Sequence, residues 1–350
     1  MSIINKPSDY MNTKLYTGNG SAGNSITGLD FQPDWVWIKD RDNVRNHVLN
    51  DAVRGATKNL FSNTNGTEST DTSTLTAFNS DGFTLGNGTK VNGNNINFVS
   101  WNWKAGTSFT NDASATGIGT IDSSGSVNDT AGFSIVSYTG TGNAGTIKHG
   151  LTSVPSMIIF KNTGSAVDWR VYHKALGNTH RLCLNDTSVS TNDDSAFNDT
   201  SPTSTLFTVG GSSSTNPSSG TMIAYCFAEK QGYSKFGSYL GINGGENGPF
   251  IHTDFKVGFV LIKDSSATNA WTIRDDKRNT FNPATNFLMP DATDAEVTAG
   301  EAVDILSNGF KIKANGGKVQ DSGNTYIYMA FAENPFVTST DNGSIPACAR

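Results

Sequence analysis

The strand Trp35-Val36-Trp37-Ile38-Lys39 returns twice in this 350-residue chain, as Met157-Ile158-Ile159-Phe160-Lys161 and as Phe259-Val260-Leu261-Ile262-Lys263. Eight residues beyond each lysine stand His47, Trp169 and Trp271, and eight further on come Gly55, Gly177 and Asn279, with no gap needed. An aromatic-Gly turn precedes each strand: Tyr16-Thr17-Gly18, Tyr138-Thr139-Gly140 and Tyr239-Leu240-Gly241. Each copy closes on an apolar strand, Trp101-Asn102-Trp103, Tyr225-Cys226-Phe227 or Met329-Ala330-Phe331. Register held at so many landmarks implies three diverged copies of one unit of roughly 110 residues, each long enough to bury a core of its own. The expected division is 1–112, 113–232 and 233–350.

Apolar runs are short and separated by Gly, Asn, Asp, Ser and Thr clusters, the pattern of strands and turns. Charged residues make up 16 % of the chain, against roughly 25 % in an average globular protein. The expected fold is all-β: three tandem antiparallel sandwiches, jelly-roll-like or lectin-like. Two strands per copy, the one ending in the shared lysine and the closing one, are apolar on both faces. They are expected at the centre of a sheet covered on both sides. Residues 107–131, rich in Ser, Thr, Asp and Gly, read as a flexible linker, and 231–247, with three aromatics, as a packed junction. Short helical turns are expected within 51–59 and 294–306.

A formal net charge of −6 and a pI near 5.3 argue against a nucleic-acid partner, which needs a basic stripe. No apolar run reaches membrane-spanning length and the start carries no leader-type hydrophobic region, so no membrane insertion is expected. Cys183, Cys226 and Cys348 show no metal-ligand spacing. They are expected to be reduced thiols of a protein folded in a reducing cytosol, with no metal and no cofactor. The five histidines are scattered, and no nucleophile elbow or zinc motif is present, so an enzyme is not expected. The loops at 192–194 and 291–294 hold enough oxygens to be minor candidates for calcium.

Two residue sets are candidate binding groups. Trp35 and Trp37 align with Met157, Ile159, Phe259 and Leu261, so these tryptophans, with Trp101 and Trp103, are expected in the core. Trp169 and Trp271 align instead with a polar residue, His47, and are candidates for partly exposed platforms that stack on sugar or docking partners. Lys39, Lys161 and Lys263 end the shared strand. Asp51 and Arg54 follow the first lysine, and Asp275 and Arg278 the third, whereas the middle copy has His173 and Leu176. Such a cluster suits an anionic ligand or a structural ion pair at a strand end. Its loss from the middle copy counts against catalysis.

Longer stretches resemble a repeat found in virion proteins of marine tailed phages: Tyr16-Thr17-Gly18-Asn19-Gly20, residues 28–41 (Gly28-Leu29-Asp30-Phe31-Gln32-Pro33-Asp34 through Arg41), Trp101–Gly106, Ala131–Val136, Gly232-Tyr233-Ser234-Lys235 and Tyr326–Glu333. That family, tail fibre-like or of unknown function, is similar in outline to lectin-type sandwiches and carries over no catalytic residue. The chain departs from a fibre in having no separate anchoring domain ahead of the first copy and no heptad or Gly-X-Y shaft. The resemblance implies a virion protein made in the host cytoplasm, a tail-fibre or adhesin-type component contacting host-surface glycan. The alternative is a capsid decoration or head-appendage protein that binds only other virion proteins, and a glycan-degrading enzyme ranks behind both. Expected partners are virion proteins, with host-surface polysaccharide in the adhesin reading and a homotrimer as the favoured assembly.

Overall fold

The computed structural model describes residues 4–336. Cys348 lies outside them. The chain is all-β, with helix confined to single turns such as Thr89–Asn92, Ala113–Thr116 and Asp194–Phe197. The helical turns expected within 51–59 and 294–306 are absent; those residues form extended and turn backbone.

One strand order occurs in three sheets. In the first third of the chain an edge strand (Met11–Thr17) pairs with the closing strand (Asn97–Trp103), which pairs with the lysine strand (Trp35–Asp40), which pairs with a fourth strand (Val48–Asp51). The middle third repeats the order with Phe133–Thr139, Thr221–Ala228, Pro155–Asn162 and Arg170–His173. The last third uses Ser234–Leu240, Thr325–Pro335, Phe255–Asp264 and Thr272–Asp275. All pairings are antiparallel, and corresponding residues meet: Trp37 faces Trp101, Ile159 faces Tyr225 and Leu261 faces Met329.

The stretch 107–131 is not a linker. Thr107–Asn111 and Ser123–Asn128 form a hairpin that adds to the free side of the middle edge strand, so this sheet starts ahead of the expected boundary at 112. A Ser/Gly strand with little side chain to bury is held by backbone bonds, which composition does not register. Likewise 231–247 contains the last edge strand and buries Tyr233 and Phe236.

Each four-strand order has a small second layer beneath it. In the first third this is Asn24–Thr27, Gly82–Leu85 and Leu75–Asn79; in the middle, Gly145–Lys148 and Leu206–Val209; in the last, Phe250–His252, Gly309–Ile312 and Val303–Leu306. A separate apolar cluster fills the space between the layers of each third. The opposite faces of the three large sheets meet in one shared core drawn from all thirds. This arrangement explains why the lysine and closing strands are apolar on both faces.

Aromatic contacts in the shared core link every pair of thirds. Trp35 stacks on Tyr225 at 4.5 Å between ring centres, Trp103 meets Phe259 edge-on at 5.5 Å, and Phe227 meets Phe331 at 6.1 Å. Trp35, Trp37, Trp101 and Trp103 are fully buried, as alignment with aliphatic residues predicts.

The aromatic-Gly turn has a local cause. The hydroxyls of Tyr16, Tyr138 and Tyr239 donate to the carbonyls of Val91, Thr215 and Val319, pinning the end of each edge strand. A Cβ on Gly18, Gly140 or Gly241 would run into the carbonyl of Gly93, Pro217 or Asp321. Only glycine lets the two backbones come so close.

Candidate functional site

Every residue the sequence offers as a binding group is an interior residue at a junction between thirds. His47, Trp169, Trp271, Lys39, Lys263, Asp51 and Asp275 are all at most 1 % exposed, and the Arg54 and Arg278 side chains are at most 7 % exposed. The expectation that Trp169 and Trp271 present partly open platforms is therefore corrected, and none of the nine can receive a glycan. They belong to the first two of three interlocks that join neighbouring thirds all the way round the molecule.

In the first interlock, the fourth strand of each third meets the next third. Asp51 accepts from the Tyr225 hydroxyl at 2.7 Å, and Asp275 accepts from Trp101 Nε1 at 3.0 Å. In the middle third, His173 Nδ1 accepts from Ala175 N at 3.2 Å, so Nε2 carries the hydrogen and donates to the Tyr328 carbonyl at 3.1 Å. Tyr225, Trp101 and Met329 occupy corresponding positions by register. Where that position supplies an O–H or N–H, the facing residue is an acceptor, aspartate. Where it is a methionine that donates nothing, the facing residue is a histidine that finds a backbone carbonyl instead. Burial pushes the His173 pKa down to about 4, so the ring is neutral.

The two aspartates bring their own cations. Arg54 Nε lies 2.5 Å from Asp51 Oδ2 and its Nη1 3.2 Å from Glu68; Arg278 Nε lies 2.6 Å from Asp275 Oδ2 and its Nη1 3.3 Å from Glu296. Burial acts to lower the Arg54 pKa, but the Asp51 carboxylate, with Glu68, outweighs it and raises the value. Arg278 also lies over the Trp101 ring, 5.4 Å from its centre. The middle third has none of this set: Leu176 stands for the arginine and Ser190 for the glutamate. A buried carboxylate without a cation, or a buried cation without a carboxylate, would cost several kcal/mol. The three residues therefore change together.

In the second interlock, a ring N–H reaches back into the preceding third. Trp169 Nε1 donates to the Phe61 and Thr64 carbonyls at 3.1 Å each, and Trp271 Nε1 to the Cys183 carbonyl at 2.8 Å. His47 Nδ1 accepts from Trp37 Nε1 at 2.9 Å, so its Nε2 holds the hydrogen. That group faces the Met289 carbonyl more loosely than full hydrogen-bond geometry requires. What His47, Trp169 and Trp271 share is a ring N–H, not exposure. The three lysines work alongside: Lys39 Nζ donates to Thr293, Lys161 to Asn65 and Lys263 to Thr187, at 3.3, 2.9 and 3.1 Å. Burial lowers all three lysine pKa values to about 8.

The third interlock is pure backbone. Glu68 N donates to Thr163 O, Ser190 N to Ser265 O and Glu296 N to Arg41 O, each at 2.8 Å. The accepting residue stands two beyond the shared lysine every time. Arg41 Nε adds a 2.6 Å ion pair to Glu296 across the junction of the last and first thirds. The first and third interlocks reach forward, first to middle, middle to last and last to first, and the second reaches back across the same three junctions, so the chain closes on itself.

A side-chain acceptor for a backbone N–H completes this layer. His47 N donates to Asn63, Trp169 N to Asn185 and Trp271 N to Asp291. Asn63 and Asn185 donate onward to Asn46 and Asp168. The corresponding residue in the last third is Ala270, whose side chain offers no acceptor. The residue facing it is Asp291, whose Oδ1 is left without a partner and whose pKa burial raises to about 7.

Other clusters are internally committed. Asp168, Cys183 and Asp186 lie close enough together to suggest a metal site. However, the Arg170 and Arg181 guanidinium groups both donate to Cys183 Sγ, at 2.9 and 3.1 Å, and fill that space with positive charge. Of the two minor calcium candidates, Asp193 pairs with Arg181 and Ser195, and Asp291 accepts from Trp271. Cys183 and Cys226 are buried thiols whose pKa values burial raises. Asp276 and Glu333 share a hydrogen bond, and burial plus Glu333 push Asp276 up to about 7. Glycosidase carboxylates stand about 5 Å or more apart, so this pair lacks that geometry. No described helix is long and apolar enough to cross a membrane. An open groove of about 500 Å³ in the middle third is lined by Thr120, Asp122, Ser124, Ser137 and Thr139.

The interlock partners Tyr225, Trp101, Glu68, Glu296 and Thr163 are the functional residues that sequence reasoning missed. The glutamates escape because the last third carries extra residues between Arg278 and Glu296, which breaks the gap-free register. No protein of curated function matches the chain. A family model described as a domain of unknown function, DUF7483, matches residues 6–335 across all three thirds, and the chain belongs to that family.

Proposed function

We propose that this protein is a non-enzymatic structural component of a tailed-phage particle, in which three copies of one β-sandwich unit close into a single body that docks on other virion proteins. The phage setting rests on the sequence resemblance. The structural part rests on one observation: the nine residues that the sequence offers as binding groups are buried at the junctions between the thirds and engaged there. A family match that runs through all three thirds agrees with a closed three-part body as the unit. Internal closure also supplies within one chain the threefold arrangement expected of a homotrimer, so the protein is expected to be monomeric before it docks.

The adhesin reading is second and moves to a different surface. The groove beside Ser124, Ser137 and Thr139 presents hydroxyls and the Asp122 carboxylate, groups that hydrogen-bond to sugars. Imaging purified particles carrying a tagged chain separates the two. Density on the capsid or tail body, in contact with neighbouring virion proteins, supports the docking reading. Density only at fibre tips, with adsorption lost in Ser137→Trp and Thr139→Trp particles, supports the adhesin. Absence of the chain from purified particles contradicts both.

A further inference from the structure

The small second layers differ on their outer faces, where alternate side chains of each strand point away from the core. At the outward position where the first and middle thirds have Ser25 and Thr146, the last has Phe250. Leu306 likewise stands where the first third has Asn79. Phe250 leans over Gly309, where a Cβ would stand 3.0 Å from its ring, and Leu306, half-buried, pairs with Gly309 from the other side. Beyond Leu306, the Asn282 side chain binds the N–H and C=O of Ile305 at 2.8 Å each, which sets Phe281 at the far rim of the layer. Phe250 and Phe281 are 47 and 79 % exposed. Lys311 lies opposite Phe250, and the nearby Asp304 pairs with Lys313 instead, so Lys311 has no ion pair among the described residues.

The chain leaves the described residues beside this face. Phe336 N donates to the Asp254 carbonyl at 3.1 Å, and the Asp254 carboxylate lies 3.5 Å from the ring of His252, on the strand that carries Phe250. Residues 337–350 follow from that point and include Val337, Ile345 and Ala347 as well as Asp341. Fourteen residues reach up to about 46 Å. The distance along the strand from Asp254 to Phe250 is only about 13 Å, and the layer is about 10 Å across its three strands.

We infer that the outer face of the last second layer is the docking site of this chain's own residues 337–350, whose apolar side chains cover Phe250, Leu306 and Phe281 and whose Asp341 is within reach of Lys311. A second copy fits less well. Phe250 and Phe281 together leave about 250 Å² of ring surface open, against roughly 800 Å² per partner in a stable complex. A segment of the same chain needs no such area, because tethering holds it at an effective concentration in the millimolar range.

Cys348 belongs to this segment and supplies the probe, since Cys183 and Cys226 are buried. The full chain carries either Lys311→Cys, beside Phe250, or Thr84→Cys, at the corresponding position of the first third, and is oxidised with diamide. The expected result is a 311–348 disulfide within one molecule that forms at least about tenfold faster than the 84–348 bond. Phe281→Ser, at the more exposed ring, should slow it several-fold without lowering the unfolding temperature. Adding Phe250→Ser, which installs the residue of the first third, should bring the rate down to that of the 84–348 bond. Equal rates at the two positions would overturn the inference, as would a 311–348 rate that both serines leave unchanged. Disulfide-linked dimers in place of the internal bond would make the occupant a second copy and overturn it too.

Discussion

The first and last thirds solve the same packing problem differently from the middle third. Both hold a buried Asp-Arg-Glu set, Asp51-Arg54-Glu68 and Asp275-Arg278-Glu296, where the middle has His173, Leu176 and Ser190. The facing residue decides which solution works. Tyr225 and Trp101 donate and require an acceptor, whereas Met329 leaves a carbonyl as the only polar partner, which requires a donor. Once the acceptor is a carboxylate, burial demands a cation, and the cation in turn brings a glutamate. A difference of three residues thus follows from one side chain in a neighbouring third.

That comparison breaks most sharply if the ion set is cut rather than exchanged. Arg278→Leu alone leaves Asp275 buried with no cation and should cost about 3–5 kcal/mol in chemical unfolding. Removing the charges together while keeping the acceptor for Trp101, Asp275→Asn with Arg278→Leu and Glu296→Gln, should cost less than the single change. An additive or larger loss would mean that the residues do not act as a unit.

The shared core makes the next largest prediction. Trp103→Ala removes a ring that touches Phe227, Phe259 and Phe331, and should cost about 3–5 kcal/mol. Because those contacts reach both other thirds, the loss should appear in one transition common to all of them. Separate transitions would show that the thirds fold independently.

A finer comparison deletes only the donor. Tyr225→Phe should cost about 1–2 kcal/mol through the lost bond to the Asp51 carboxylate, which keeps Arg54. Met329→Leu, at the corresponding position opposite His173, should cost under about 1.5 kcal/mol because no polar bond is lost. Equal losses would remove the reason given for the aspartate–histidine difference.

The smallest effect concerns pH. Asp291 stands where Asn63 and Asn185 stand in the other thirds, and its pKa rises from 3.8 to about 7 on burial. Between those values the folded state binds more protons than the unfolded one, so this group's contribution, full in acid, is lost as pH rises towards 7. Asp291→Asn, paired with Ala270→Asn to restore the missing acceptor, should flatten that slope. Above pH 7 it should raise stability. An unchanged slope would place the titrating group elsewhere, with the Asp276–Glu333 pair the next to examine.

The parts of this architecture that sequence reveals are those written in local pattern. The lysine and closing strands announce double burial by being apolar on both faces, and the Lys-Asp-Arg spacing announces an ion pair near a strand end. The second surface that buries them is not local: nothing in Trp35-Val36-Trp37 says that Tyr225 and Phe227 supply the cover. Trp169 and Trp271 mislead because alignment with His47 suggests polarity, and polarity suggests exposure. The property held in common is a ring N–H that must reach a carbonyl in another third. Ser123–Asn128 misleads in the opposite sense, since a strand held by backbone bonds needs no apolar side chains.

Closure is the central claim, and distances between corresponding surface positions test it most directly. Val44, Ala166 and Thr268 each stand five residues beyond the shared lysine and are exposed. With spin labels on cysteines at these positions, taken two at a time in a Cys348→Ser background, the pairs 44–166, 166–268 and 268–44 should give one common distance. A 268–44 distance clearly longer than the other two would mean that the last third does not return to the first, and would contradict the account.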